Sequence, residues 1–226
     1  MCGRFVLQGT AALPERFDAA VTPMVQLQLT PRYNIAPTQP VAMVVEGAAD
    51  GRRLEPARWG LTPKYAPKGK GAITIFNARS ETLLEKAGFR RLLAGGRCLV
   101  PADGFYEWEK VGGAKLPWLY RLKGGETFAF AGLYDRWTDD EGRELNACTI
   151  LTTQPNELVL PVHNRMPVIL PREAEGEWLD PRVTEPGELL PLLAPYPAGR
   201  MERVAVSRAV NNSRIDDPSL LQPVTA

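Results

Sequence analysis

Few side chains in this 226-residue sequence can make or break bonds. Cysteine occurs at positions 2, 98 and 148, and histidine only at position 163. Cys2 is distinguished by its place. Once the initiating Met1 is removed, its thiol and a primary amine stand on adjacent carbons. Reference pKa values of about 8 for an α-amine and about 8.5 for a thiol leave each a usable basic fraction near neutrality. The amine can condense with an aldehyde to an imine, and the thiol is then placed to close a five-membered thiazolidine ring. That second attack is intramolecular, so much of its entropic cost is met beforehand. While Met1 remains, the same nitrogen is an amide and this chemistry is closed. The competing reading is that Cys2 is a small apolar residue, the ordinary fate of a free cysteine.

Other candidates gather around this one. His163 is the one side chain whose unperturbed pKa lies near neutrality, although a lone histidine is commonly structural. Glu107, within Gly104-Phe105-Tyr106-Glu107-Trp108, either faces outward on an alternating strand or is held in an apolar site. The second case would raise its pKa and suit it to proton transfer, while alternation favours the first. Asn77 closes an apolar run and can orient a reacting group or cap a turn. Arg4, Arg79 and Arg165 carry planar forks suited to phosphate.

Composition bounds the rest. The chain is 44% hydrophobic and 23% charged, with a net charge of +1, as expected for a globular protein with a sizeable core. No apolar run reaches transmembrane length. Three widely spaced cysteines and no secretory leader argue against a disulfide framework and for a reducing cytoplasm. Without a C-x-x-C pair, three cysteines and one histidine make a poor zinc set, so no metal or cofactor is expected. Residues 51–100 hold eleven Lys or Arg against three Glu. That segment is a candidate anion-binding face.

The elements that must position these groups are short. Strands are expected at 2–8, 41–46, 53–61, 72–77, 97–101, from 105 onward, at 146–153 and at 202–206. Residues 117–122 and 127–134 read as paired strands about the turn 123–126. Helices are expected at 11–20, at 81–94 with Ser80 as cap, at 172–179 and at 186–193. Residues 28–40 read as a polar connection, 63–71 as an exposed loop, and everything past Asn212 as a tail, which gives one domain over 1–212 and a tail over 213–226. Many short strands with few short helices indicate an α+β domain on a strongly twisted, barrel-like mixed sheet.

Seven motifs in order carry a resemblance. They are Met1-Cys2-Gly3-Arg4-Phe5, Arg32-Tyr33-Asn34-Ile35-Ala36-Pro37, Trp59-Gly60-Leu61, Asn77-Ala78-Arg79-Ser80-Glu81-Thr82, Gly104-Phe105-Tyr106-Glu107-Trp108, His163-Asn164-Arg165-Met166-Pro167 and Val206-Ser207-Arg208-Ala209-Val210-Asn211. Together they resemble the SRAP family, the SOS-response-associated peptidases that shield abasic sites in single-stranded DNA. The resemblance implies a thiazolidine cross-link between Cys2 and the ring-opened sugar aldehyde. It implies that Glu107 is the acid/base, that Asn77 holds cysteine and sugar, and that His163 assists proton transfer and reversal. It further implies that Arg79, Arg165 and more weakly Arg4 bind phosphates, while Trp59, Tyr65 or Pro37 support unstacked bases. Lys64-Tyr65 stands where family members often carry an aromatic pair or a Trp. A monomer acting on DNA in the cytoplasm, away from membranes, is expected. Two other readings stay open. One is a thiol peptidase using Cys2 and His163, whose activity need extend only to removing its own Met1. The other is a non-covalent reader of single-stranded or modified DNA through the basic segment.

Overall fold

The computed structural model describes residues 3–47, 51–62, 74–138 and 144–224. In chain order the strands are β1 (Phe5–Leu7), β2 (Ala19–Val21), β3 (Arg32–Ile35), β4 (Pro40–Gly47), β5 (Gly51–Trp59), β6 (Asn77–Arg79) and β7 (Arg97–Ala102). They continue as β8 (Gly104–Val111), β9 (Ala114–Leu122), β10 (Phe128–Thr138), β11 (Glu144–Thr153), β12 (Met166–Pro167), β13 (Ile169–Leu170) and β14 (Met201–Ala205). The α-helices are α1 (Leu13–Phe17), α2 (Ala87–Gly95), α3 (Glu175–Leu179) and α4 (Pro186–Leu189). Among the described residues no helix is long and apolar enough to cross a membrane.

The architecture is α+β, with a barrel-like mixed sheet at its centre. Strands β11, β10, β7, β4 and β5 lie side by side, and β5 pairs back onto β11 in parallel, closing a ring of five. β2 extends the ring from β5, β13 lies on β10, and β6 and β12 lie on β11. A second, antiparallel sheet in the order β14-β9-β8-β1-β3 packs against it. Every residue of β7 is buried, because its two faces are both covered, one by the ring's interior. Such a strand reads as a continuous apolar run. Gly132 on β10 allows close packing inside: a Cβ there would lie 2.8 Å from Cys98 Sγ.

The two sheets join at the corner Ala102-Asp103-Gly104, where β7 passes directly into β8. Asp103 holds that corner. Its buried carboxylate accepts hydrogen bonds from the Gln8 and Gly9 amides, at 2.6 and 2.9 Å, and from Thr127 Oγ1 at 2.5 Å. Its own amide donates to Val6 O at 2.8 Å. β1 is thereby stitched between β8 and β3. Phe5 packs edge-on against Trp59 and Phe130, with ring centroids 5.2 and 5.7 Å away.

Several expectations change. The strands over 117–122 and 127–134 exist but do not form a hairpin: β9 lies between β8 and β14, and β10 between β7 and β11. Gly124 and Gly125, both at positive φ, carry the chain from one sheet to the other. The polar connection over 28–40 contains β3, which finds its partner in β1. The helix expected over 81–94 begins only at Ala87. Ser80 opens a separate 3-10 turn, and neither start has a side-chain cap. Residues 11–20 hold a 3-10 turn, the five-residue α1 and then β2.

The segment after Asn212 is docked, where a loose tail was expected. The Asp216 carboxylate accepts from the Tyr33 and Asn34 amides and pairs with Arg32. Leu220 is buried in a small second core with Val6, Tyr106, Leu119, Val206 and Val210. The loop expected at 63–71 lies outside the described residues, as do the first two positions of the strand expected at 72–77; the rest holds an isolated bridge from Ile75 to Leu61 and the start of β6 at Asn77.

Asp103→Ala is expected to destabilise the protein by about 2–3 kcal/mol, since buried amides would lose their acceptor. Urea unfolding checks this, and a loss below about 0.5 kcal/mol would contradict the corner's role.

Candidate functional site

A cleft of about 460 Å³ opens along β8 and is lined by Arg4, Glu107, Trp108, Lys110, Lys115, His163 and Asn211. The structure thus brings together three of the residues singled out from sequence, Arg4, Glu107 and His163. Cys2 lies outside the described residues. Its neighbour Gly3 is described, and the ladder locates it. Phe5 pairs with Phe105 and Val6 with Gly104, and Arg4 O accepts from the Tyr106 amide at 2.9 Å. The same register sets Gly3 level with Glu107.

Glu107 is buried, against the expectation from strand alternation. The first four residues of β8 are buried on both faces. Phe105 enters the main core and Tyr106 the smaller one, so neither face of this half of the strand is left to solvent. Burial pushes the Glu107 carboxyl from its ordinary value of 4.5 up to about 7. A carboxyl there exists in both protonation states at neutral pH and can give or take a proton.

His163 follows the turn after β11. Its Nδ1 lies 3.0 Å from the Arg165 amide nitrogen and 3.1 Å from the Arg165 carbonyl oxygen, so the ring is anchored on the Arg165 backbone. Burial lowers its pKa by desolvation, which favours the neutral imidazole. Arg165 is placed differently from expectation. Its buried guanidinium makes a bidentate pair with Glu81, at 2.6 and 2.7 Å, and donates to Thr152 O at 2.7 Å. It ties the 77–82 segment to the His163 loop and has no fork left to present to a phosphate. The Arg165 bond in turn holds the Glu81 carboxyl below its usual range.

Arg4 donates through Nη1 to Asn34 Oδ1 at 2.7 Å and to Val210 O at 2.9 Å, and its guanidinium carbon lies 5.8 Å from the Trp108 ring centroid. Trp108 Nε1 donates to Asn211 Oδ1 at 2.6 Å. Asn34 is fully buried, and its amide nitrogen donates to Val210 O, Asn212 O and Ile215 O. Through it the closing segment of the chain forms one wall of the cleft.

The remaining candidates lie on other elements. Asn77 is half-buried at the start of β6, paired in parallel with Ile150, with its Oδ1 buried. Arg79 is exposed at the end of the same strand and Pro37 half-buried after β3. Trp59 is a core residue: 0% exposed, against Phe5 and Phe76, with Nε1 donating to Phe76 O at 2.8 Å. It has no face for a base. Tyr65 lies outside the described residues. Sequence reasoning missed Asn34, Trp108, Lys110, Lys115 and Asn211 as parts of one site. The Gly112-Gly113 turn was the available signal, because pairing strands about it sets Lys110 opposite Lys115.

The Glu107 environment has a measurable consequence. A carboxyl whose folded pKa is raised keeps its proton longer in the native state, so parental stability falls as pH rises from about 4.5 to about 7. Glu107→Gln removes that loss. The variant is expected to match the parent near pH 4.5 and to exceed it by about 1–3 kcal/mol at pH 8, by urea unfolding. A difference that does not vary with pH would refute the assignment.

Comparison with known proteins agrees with this geometry. Residues 1–213 match the model of the SOS response associated peptidase (SRAP) family. The chain is 43% identical over 224 residues to the abasic site processing protein YoqW of Bacillus subtilis, covering 98% of this chain and 99% of that one. It is 34% identical over 225 residues to the abasic site processing protein HMCES of Gallus gallus, covering 86% of this chain and 66% of that one. A crystal structure of a protein from Bacteroides thetaiotaomicron superposes with a TM-score of 0.86 at 27% identity, over 99% of this chain and 100% of that one. With nearly its whole length matched and the same fold, this chain belongs to the SRAP family.

Proposed function

We propose that this protein processes abasic sites in single-stranded DNA by covalent capture through Cys2 once Met1 is removed. The observation that carries the reading is the cleft that joins the amino-terminal strand, a carboxyl poised near neutrality and a neutral imidazole. The names of the relatives, abasic site processing proteins, point the same way.

The chemistry balances without a cofactor. The Cys2 amine adds to the C1′ aldehyde of the ring-opened sugar. The carbinolamine loses water to give an imine. Sγ then adds to the imine carbon, and the thiol proton ends on nitrogen. The net change is aldehyde plus aminothiol to thiazolidine plus water. Glu107, protonated in part at pH 7, supplies the proton that carries off the hydroxyl and can assist opening of the sugar ring. His163 in its neutral form accepts protons during ring closure and, run backwards, assists release. Asn77 orients the aminothiol and the sugar. Arg4 and Arg79 meet the flanking phosphates, while Arg165 serves by holding the His163 loop. The adduct would shield the lesion during the response to DNA damage, with the protein on the nucleoid.

Protein lacking Met1, mixed with a single-stranded oligonucleotide carrying one abasic site, is expected to give an adduct that survives heat and detergent. Its intact mass should equal protein plus DNA less one water. Cys2→Ala and Cys2→Ser, and protein retaining Met1, should give none of it. A parental adduct yield from Cys2→Ala would overturn the reading. Salt-sensitive binding with no adduct would favour the non-covalent reader, and hydrolysis of peptides beyond Met1 without an adduct would favour the thiol peptidase.

A further inference from the structure

Two lysines of the cleft have no place in the chemistry above. Lys110 and Lys115 stand directly opposite each other on β8 and β9, near the tip of the hairpin those strands form. Like charges directly opposed across a strand pair destabilise the sheet. Carboxylates elsewhere in the protein neutralise such cations: Arg16 pairs with Glu175, Arg91 with Asp135 and Arg121 with Glu202. Neither lysine makes an ion pair among the described residues. Both are exposed, both line the cleft, and the nearest carboxyl in its lining is Glu107, whose charge burial suppresses.

The hairpin holds the two ammoniums in register. Gly112 and Gly113 both have positive φ, at 55° and 83°, the conformation of a tight two-residue turn whose twist matches the strands. Val111 pairs with Ala114 immediately beyond the lysines. Two flexible cations are thus held on one face of a rigid ribbon, roughly 10 Å along β8 from Glu107. That distance lies outside the reacting sugar and within reach of the backbone beside it.

We propose that Lys110 and Lys115 form a clamp for a single phosphodiester flanking the captured nucleotide. This rests on the capture reading for its substrate, but the clamp acts on the backbone and needs no lesion. It holds the strand in the cleft while the sugar reacts, so it sets affinity and leaves the bond-forming steps to the amino terminus.

The test uses a labelled single-stranded oligonucleotide without an abasic site, bound at a series of salt concentrations. Lys110→Gln and Lys115→Gln should each weaken binding several-fold, and the double variant should reduce the slope of log K against log salt by about 0.7, the share of one phosphate. Lys110→Arg with Lys115→Arg should keep the parental slope. Lys123→Gln, roughly 26 Å away at the far end of β9, should leave it unchanged. On abasic DNA, the double Gln variant should need a several-fold higher DNA concentration for half-maximal adduct formation. An oligonucleotide series with one neutral methylphosphonate at each position, flanking a fixed abasic site, should reveal one linkage whose neutralisation weakens the parent and not the double variant.

A double variant with the parental salt slope overturns the clamp, and so does an equal loss from Lys123→Gln. If the parent binds DNA through these lysines but forms no adduct, the capture reading fails and the clamp stands. If the parent forms the adduct while the slope ignores the lysines, the clamp alone fails.

Discussion

The three residues of β1 carry the constraint on which this site depends. Phe5 is locked edge-on against Trp59 and Phe130 in the main core, while Val6 turns into the smaller one. The strand is paired on both sides and held at its end by Asp103. A chain terminus ordinarily frays, because few contacts offset the entropy of ordering it. Here burial of large apolar groups within five residues of the first offsets that entropy. The register that follows sets Gly3 level with Glu107.

The electrostatics divide the cations into two populations. The buried ones are engaged by the protein itself. Arg97 donates to the carbonyls of Leu93, Trp178 and Asp180, joining α2 to α3, and Arg165 clamps Glu81. These residues hold the frame, each charge compensated by carbonyl or carboxylate partners. The cleft cations are disposed otherwise. Arg4 is held by backbone and amide oxygens and by an indole. Lys110 and Lys115 stand opposed. A cleft walled by cations, containing one carboxyl that burial keeps partly neutral, favours an anionic ligand and a proton-transfer group at once.

The basic stretch over 51–100 illustrates how charge counting goes astray. Arg52 donates to Phe17 O and faces Glu46, Arg53 faces Glu55, Arg90 donates to Leu84 O, and Arg91 pairs with Asp135. Most of the described cations in that stretch are bound within the fold. None of them lines the cleft, whose positive residues come from β1 and from the β8–β9 hairpin.

By itself the sequence determined a good deal. The fold class, most strands and the family were legible in it, because β-branched runs, turn residues and ordered motifs are local signals. So was the identity of the reactive groups, since an aminothiol, a lone imidazole and a carboxyl among aromatics are matters of residue type. The tertiary structure decided their roles. Alternation set Glu107 outward, and only the covering of both faces of β8, one by the main core and one by the smaller, shows why it is buried. Trp59 looked like a surface for bases until the ring of five strands closed over it. Arg165 looked like a phosphate ligand until Glu81, distant in sequence, occupied its fork. Asn34 and the closing segment had no visible part in any site. The reason is the same in each case: burial and pairing are set by which strands become neighbours. In a sheet that closes on itself, those neighbours are far apart along the chain.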